Sequence, residues 1–159
     1  MIDVLRSHGP AAGEDASLEA LHLADEAVER FPRSAKLWCM RGDLIQLGSG
    51  ESHHELEDAL RSYQRAAEAD PDYAAAWESL GYYYDVITNE LEAAERMFRR
   101  AVHLNGSPES WAGLARVLAE RGVPVPEVLA TLAGCPYSEH SKIIEIRGEI
   151  AEGGWEPIE

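Results

Sequence analysis

A short register recurs along this chain and sharply limits the folds open to it. Trp38, Trp77 and Trp111 each stand four residues before a small residue, at Gly42, Gly81 and Ala115, and Ile144 stands likewise before Gly148. Successive members are 39, 34 and 33 residues apart. A second pattern runs in phase with the first, at Ala20/Ala24/Ala27, Ala59/Tyr63/Ala66 and Ala94/Phe98/Ala101, each set 17 or 18 residues before the next Trp. Steps of three and four residues put each set on one helix face. Self-similarity at a fixed period of about 20 to 50 residues implies one supersecondary unit, repeated, whose apolar face is covered by its neighbours.

Punctuation between the patterns predicts helices over 17 to 31, 35 to 47, 54 to 69, 73 to 86, 90 to 104, 108 to 121, 125 to 133 and 139 to 152. Ser17, Ser34, Asp72, Ser107 and Ser138 are N-cap residue types, and Pro108 suits a first helical turn, where its missing N–H costs nothing. Pro32 and Pro71 each lie six residues before a Trp, where an X-Pro step ends one helix and frees the next. Gly48, Gly106, Gly122 and Gly134 follow periodic runs, where left-handed terminators are expected.

The segment Trp77-x2-Leu80-Gly81-x2-Tyr84, followed by Ala94-x3-Phe98, resembles a tetratricopeptide repeat. The resemblance extends roughly from Ser17 to Gly154. It implies an all-α, right-handed α-solenoid of antiparallel helix hairpins, about three to four repeats with partial terminal repeats. The longer first step is absorbed by an insertion at "GSGESHH", since loops between packed helices tolerate insertions. The expected organisation is an N-terminal cap or flexible segment over 1–16, the repeat domain over 17–154 and a tail over 155–159. The aromatic stripe Trp77, Leu80, Gly81, Tyr84 is expected to be core, with indole and phenol rings nested against Gly and Ala. On that reading Trp77→Ala costs about 3–5 kcal/mol.

The resemblance also implies a function. In similar proteins the first helices of successive repeats line a concave groove that holds a partner's peptide. Carried over by position, the groove comprises Lys36, Cys39, Asp43, Glu78, Tyr82, Asp85, Arg116, Glu145 and Glu149. Lys142, Glu109, Glu120 and Glu152 lie on the same wall, where acids outnumber bases. Members that clamp a chaperone's C-terminal carboxylate use Lys, Arg and Asn donors, whereas Met40 and Ser79 stand where such an Asn belongs. The expected ligand is therefore a basic or mixed apolar-basic partner segment, with Tyr82 as a rigid anchor. The alternative is a self-assembly or subunit-stabilising module that uses exposed repeat ends, giving a homodimer through the terminal repeats.

Charge supports the choice of partner. With 14 Lys plus Arg against 29 Asp plus Glu, the formal net charge is -15, which repels nucleic acid and anionic membranes. Cys39 and Cys135 lack the spacing of a zinc half-site or a secreted disulfide framework, so a reducing cytoplasm is the expected location. The start, "MIDVLRSHGPAAGEDAS", has neither a basic head nor a long apolar run, so no signal peptide is expected. No Gly-rich phosphate loop, nucleophile elbow or Ser/His/Asp constellation is recognisable, so neither an enzyme nor a cofactor is expected.

Two other features bear on function. The cluster "ESHHE" at Glu51 to Glu55 offers imidazoles and carboxylates, but adjacent His53 and His54 diverge on a helix start and no i, i+4 pair exists. An exposed loop without metal is the expectation. The apolar face of the first long helix, Leu18, Leu21, Ala24, Ala27, Val28 and Phe31, needs a cover. Ile2, Val4 and Leu5 folding back, or a second chain, would supply it, and Trp155 and Ile158 could close the other end.

Overall fold

Apolar periodicity of 3.6 residues and the polar caps between the runs yield an all-α structure. The computed structural model describes residues 1–7, 9–10, 15–48 and 53–153, and among these there is no strand. An isolated bridge joins Ala16 to Gly48. The tail residues Trp155 and Ile158, and Glu51 of the histidine cluster, lie outside the described residues. The chain divides into two compact units, Met1–Ala76 and Trp77–Glu159.

The first unit holds α1 (Ile2–Ser7), α2 (Leu18–Arg30), α3 (Ala35–Gln46) and α4 (Leu56–Ala69). Two of its caps are those expected: Ser17 Oγ accepts the Ala20 N–H at 3.1 Å and Ser34 Oγ accepts the Leu37 N–H at 3.4 Å. Each satisfies a helical donor that would otherwise lack a partner. Ahead of α4 the Glu55 N–H donates to the Asp58 carboxylate at 3.0 Å. That bond, with Arg61 beside it, holds Asp58 below the usual carboxylate range. Helix α2 turns Ala20, Leu21, Ala24, Ala27 and Val28 inward, and α4 turns Ala59, Tyr63 and Ala66 inward. Helix α1 packs on α2 and buries Leu5.

Helix α5 (Ala74–Tyr82) begins at the end of the first unit and continues into the second. The predicted helix over 73 to 86 does not run on as an α-helix. Residues Tyr83–Ile87 form one π turn, closed by the Thr88 N–H on the Tyr83 carbonyl at 3.3 Å. That turn leaves Val86 and Ile87 exposed and Asp85 buried. The second unit continues with α6 (Leu91–His103), α7 (Pro108–Glu120), α8 (Val125–Ala133) and α9 (Ser141–Ala151). Its core gathers Ala94, Phe98, Leu114, Ala115, Val117, Val128, Leu132, Ile143 and Ile150. Ile144, the counterpart of the tryptophans in the repeated register, is instead 53% exposed.

The packing corrects one expectation about the aromatic stripe. Trp38, Trp77 and Trp111 are half-buried and do not fill the glycine positions. The ring of Tyr63 occupies the space beside Gly42, and a Cβ on Gly81 or Gly113 would stand 2.8 or 2.5 Å from Phe98. The filling rings therefore come from the middle of the Ala-aromatic-Ala pattern, whose alanines are fully buried. An indole keeps a polar N–H that needs a partner, which favours a half-buried edge: Trp38 Nε1 donates to the Pro32 carbonyl at 2.8 Å.

Three terminators and one N-cap also differ from expectation. Among the four glycines named, only Gly122 is left-handed (φ 78°); Asn89 (φ 55°) and Asn105 (φ 57°) take that conformation, which asparagine tolerates. Gly106 is required for space, since a Cβ there would meet the Ala101 carbonyl and Ser110 Oγ at 2.7 Å. Helix α9 is capped by His140, whose Nδ1 accepts the Lys142 N–H at 3.3 Å, because residues 136–139 form turns. Ser138 falls within them.

Candidate functional site

In the second unit, α5, α7 and α9 supply the walls of an open groove of about 500 Å³. Tyr82 comes from α5, Ala112, Gly113 and Arg116 from α7, and Lys142, Glu145, Ile146 and Glu149 from α9. The three- and four-residue steps on α7 and α9 place these side chains on one face of each helix. Small residues on α7 leave the space open, because Phe98 fills the far side of Gly113.

Tyr82 is half-buried and already engaged. Its hydroxyl donates to the Glu109 carbonyl at 3.0 Å, and its ring meets Phe98 edge-on at 5.0 Å. Burial first, then the negative charge of Glu78, push the phenol up to about 12, with Arg116 opposing. The Arg116 guanidinium lies 5.8 Å from the Tyr82 ring and pairs with the Asp85 carboxylate. Its Nε is buried without a hydrogen-bond partner among the described residues, the Glu120 carboxylate standing 4.0 Å away. Burial, with Asp85 nearby, raises the Glu120 carboxyl.

Several acids expected on a free wall are occupied. Glu78 accepts from the hydroxyls of Ser107 and Ser110, the latter fully buried. Asp85 is buried against Arg116. Glu109 is held below the usual range by its own backbone N–H, then by Ser107 and Lys142. The carboxylates of Glu145 and Glu149 remain exposed at the groove. Of the carried-over residues, the structure thus brings Tyr82, Arg116, Glu145 and Glu149 together, with Asp85 and Glu78 behind them. Lys36, Cys39 and Asp43 lie on α3 in the first unit: Cys39 is buried, and Asp43 accepts the Tyr63 hydroxyl at 2.9 Å.

A second polar cluster, in the first unit, departs from the expected exposed loop. His53 is 80% exposed, but the His54 side chain is only 6% exposed and its Nε2 meets Asp25 Oδ2 at 2.9 Å. The two residues precede α4, so the divergence of adjacent helical positions does not apply to them. Arg41 donates from Nε to Asp25 Oδ1 at 2.8 Å and from Nη1 to Ser62 Oγ at 2.6 Å. Ser62, a fully buried polar residue on α4, was a second visible signal of this network beside the two histidines. A cavity of about 460 Å³ opens beside it, lined also by Trp38, Arg61 and Arg65.

The helix hairpins, with small residues at fixed positions and paired first-helix faces, define an all-α repeat protein of the α-solenoid class. Residues 52–86 match the family described as "Tetratricopeptide repeat". The chain is 34% identical over 94 residues to "Superkiller protein 3" of Schizosaccharomyces pombe, matching 58% of this chain and 6% of that protein. It is 28% identical over 101 residues to "Tetratricopeptide repeat protein 33" of Xenopus laevis, matching 63% of this chain and 37% of that one. The chain thus spans well under two thirds of the length of either relative. A thermophilic TPR protein of Thermus thermophilus has a similar solved structure, with TM-score 0.64, 24% identity, and coverage of 84% of this chain and 70% of that chain. The fold is thus that of a tetratricopeptide-repeat protein, and the family match itself lies over residues 52–86.

Proposed function

We propose that the protein is a non-catalytic adaptor whose α5–α7–α9 groove holds an extended, basic or mixed apolar-basic segment of a partner protein. Tetratricopeptide-repeat folds generally mediate protein–protein interaction. The observation that carries the finer one is the division of labour in the groove. Tyr82 and Arg116 are held by hydrogen bond and ion pair, while Glu145 and Glu149 offer exposed carboxylates on α9. A receptor with side chains already in place loses little ordering entropy on binding. Ile146 and Ala112 supply apolar floor, Glu145 and Glu149 supply exposed carboxylates, and the surplus negative charge of the chain steers a cation inward. Among the described residues no helix is long and apolar enough to cross a membrane.

The test is binding of a set of lysine- and arginine-containing peptides to the full chain by fluorescence anisotropy. Affinity should fall as salt rises, because rim charges separated by more than a Debye length are screened. Glu145→Lys with Glu149→Lys, both exposed positions, should abolish the preference for basic peptides while leaving the melting temperature unchanged. Affinity that ignores both salt and the double substitution overturns the groove. Sedimentation of the chain without peptide would reveal concentration-dependent dimers if self-assembly is the function instead.

A further inference from the structure

We propose that Asp25, His53 and His54 in the first unit form a binding site for a divalent first-row transition-metal ion. This site is separate from the peptide groove and rests on different observations. One donor atom from each of the three residues lies within 4.8 Å of the other two. His54 Nε2 is 2.9 Å and His53 Nε2 3.9 Å from the same carboxylate oxygen, Asp25 Oδ2. Bonds of about 2.0–2.2 Å to a tetrahedral ion separate neighbouring donors by about 3.3 Å. These two separations bracket that value and the two ring nitrogens lie within 4.8 Å of each other, so the set closes by movement of the exposed His53 side chain.

The surroundings orient the ligands as a metal site requires. Arg41 Nε holds Asp25 Oδ1 at 2.8 Å, which leaves Oδ2 directed at the two rings. A metal on His54 Nε2 forces the proton to Nδ1, and Asp58 Oδ2, 3.9 Å from Nδ1, becomes its acceptor on closing to hydrogen-bond distance. Carboxylates in that position fix the ring and raise its basicity as a ligand. Arg41 Nη2, 3.5 Å from Nδ1, can only donate and so loses this contact once the proton sits on Nδ1. The Arg41 cation opposes binding, and the carboxylates of Asp58 and Glu29 on the same cavity offset it.

The donor set selects the metal. Two imidazoles and one carboxylate suit Zn²⁺, Ni²⁺, Co²⁺ or Cu²⁺, whereas Ca²⁺ and Mg²⁺ prefer oxygen donors throughout. Three protein ligands leave a fourth position facing the cavity, for water or a side chain of a bound protein. An ion here would join the segment before α4 to α2, two stretches about thirty residues apart in sequence, and so restrict opening of that unit.

The experiment is isothermal titration of the full chain, first stripped with chelator, with ZnCl2 near neutral pH. The expected result is one ion per chain and a melting temperature that rises with Zn²⁺ concentration. His53→Ala, at an exposed position, should keep the metal-free melting temperature and weaken Zn²⁺ binding at least tenfold. Asp58→Asn should weaken it by about 10- to 100-fold, as loss of an outer carboxylate does elsewhere. Substituted Co²⁺ should show the intense visible absorption of a low-coordinate nitrogen–oxygen site in the wild type and lose it in His53→Ala. A wild-type chain that binds no Zn²⁺, or a His53→Ala chain that binds it equally well, overturns the proposal. The first result leaves Asp25, Arg41 and His54 as a hydrogen-bonded clamp alone.

Discussion

The same repeat position is occupied by Tyr63 in the first unit and Phe98 in the second, and the two rings solve the same packing problem with different chemistry. Tyr63 fills the space at Gly42 and extends its hydroxyl past it, to the Asp43 carboxylate at 2.9 Å. Phe98 lies between Gly81 and Gly113, touches Tyr82 edge-on and is fully buried among apolar groups. A ring at this position is held by shape. Whether it can carry a hydroxyl is decided by what stands at its far edge, an exposed acid in one unit and the α7 backbone side of Gly113 in the other. The lesson extends to Trp38, whose N–H stays at the margin on the Pro32 carbonyl, whereas Trp111 Nε1 is buried without a partner among the described residues.

The largest effect should come from removing the central ring. Phe98→Ala is expected to destabilise by about 3–5 kcal/mol, the usual cost of a buried aromatic truncated to a methyl. Trp77→Ala should cost clearly less, since Trp77 is half-buried with Arg100 stacked 5.8 Å from its ring. Chemical denaturation of both variants checks this, and a larger loss for Trp77 would restore the indole to the centre of the core.

Exchanging the two chemistries is a finer probe. Tyr63→Phe should cost about 0.5–1.5 kcal/mol, the net worth of one hydrogen bond. Phe98→Tyr should cost about 1–3 kcal/mol, because the added oxygen overpacks the contact with α7. Equal costs for the two substitutions would show that the edges are not distinguished.

The last expected effect is alkaline. The Tyr82 phenol lies at about 12 in the fold against 10.0 in the free residue, so above pH 10 the unfolded chain ionises first. Stability contributed by the neutral phenol is complete below pH 10 and is lost as pH rises towards 12. Denaturant melts across that window should show a shallower decline for Tyr82→Phe than for the wild type. Parallel declines would mean that the Tyr82 hydroxyl is not sequestered on the Glu109 carbonyl.

Much of the scaffold was legible in the sequence because its signals are local. Ser17, Ser34 and Ser107 cap the helices that follow them, and the element expected at 125 to 133 is α8, Val125–Ala133, despite prolines at 124 and 126. The groove was partly legible: spacing places Tyr82, Arg116, Glu145 and Glu149 on first-helix faces, and all four line one cavity. Spacing could not reveal that Asp85 and Glu78 are already partnered, because Arg116, Ser107 and Ser110 arrive from about thirty residues away. The π turn at Tyr83–Ile87 was equally hidden, since its five residues include no Pro or Gly to mark a break, and weak helix formers occur in ordinary helices as well.

Periodicity, caps and small-residue spacing fixed the class of fold, the number and order of helices between Ser17 and Ala151, and which faces turn inward, because backbone hydrogen bonds and side-chain period act over a few residues. Three-dimensional packing alone chose Phe98 and Tyr63 over the tryptophans for the glycine positions, paired Asp85 with Arg116, engaged Glu78 with Ser107 and Ser110, and drew His53 and His54 onto Asp25. Those outcomes depend on distances between residues remote in sequence and on the cost of burying charge or an N–H without a partner, and neither quantity is written in the local order of the chain.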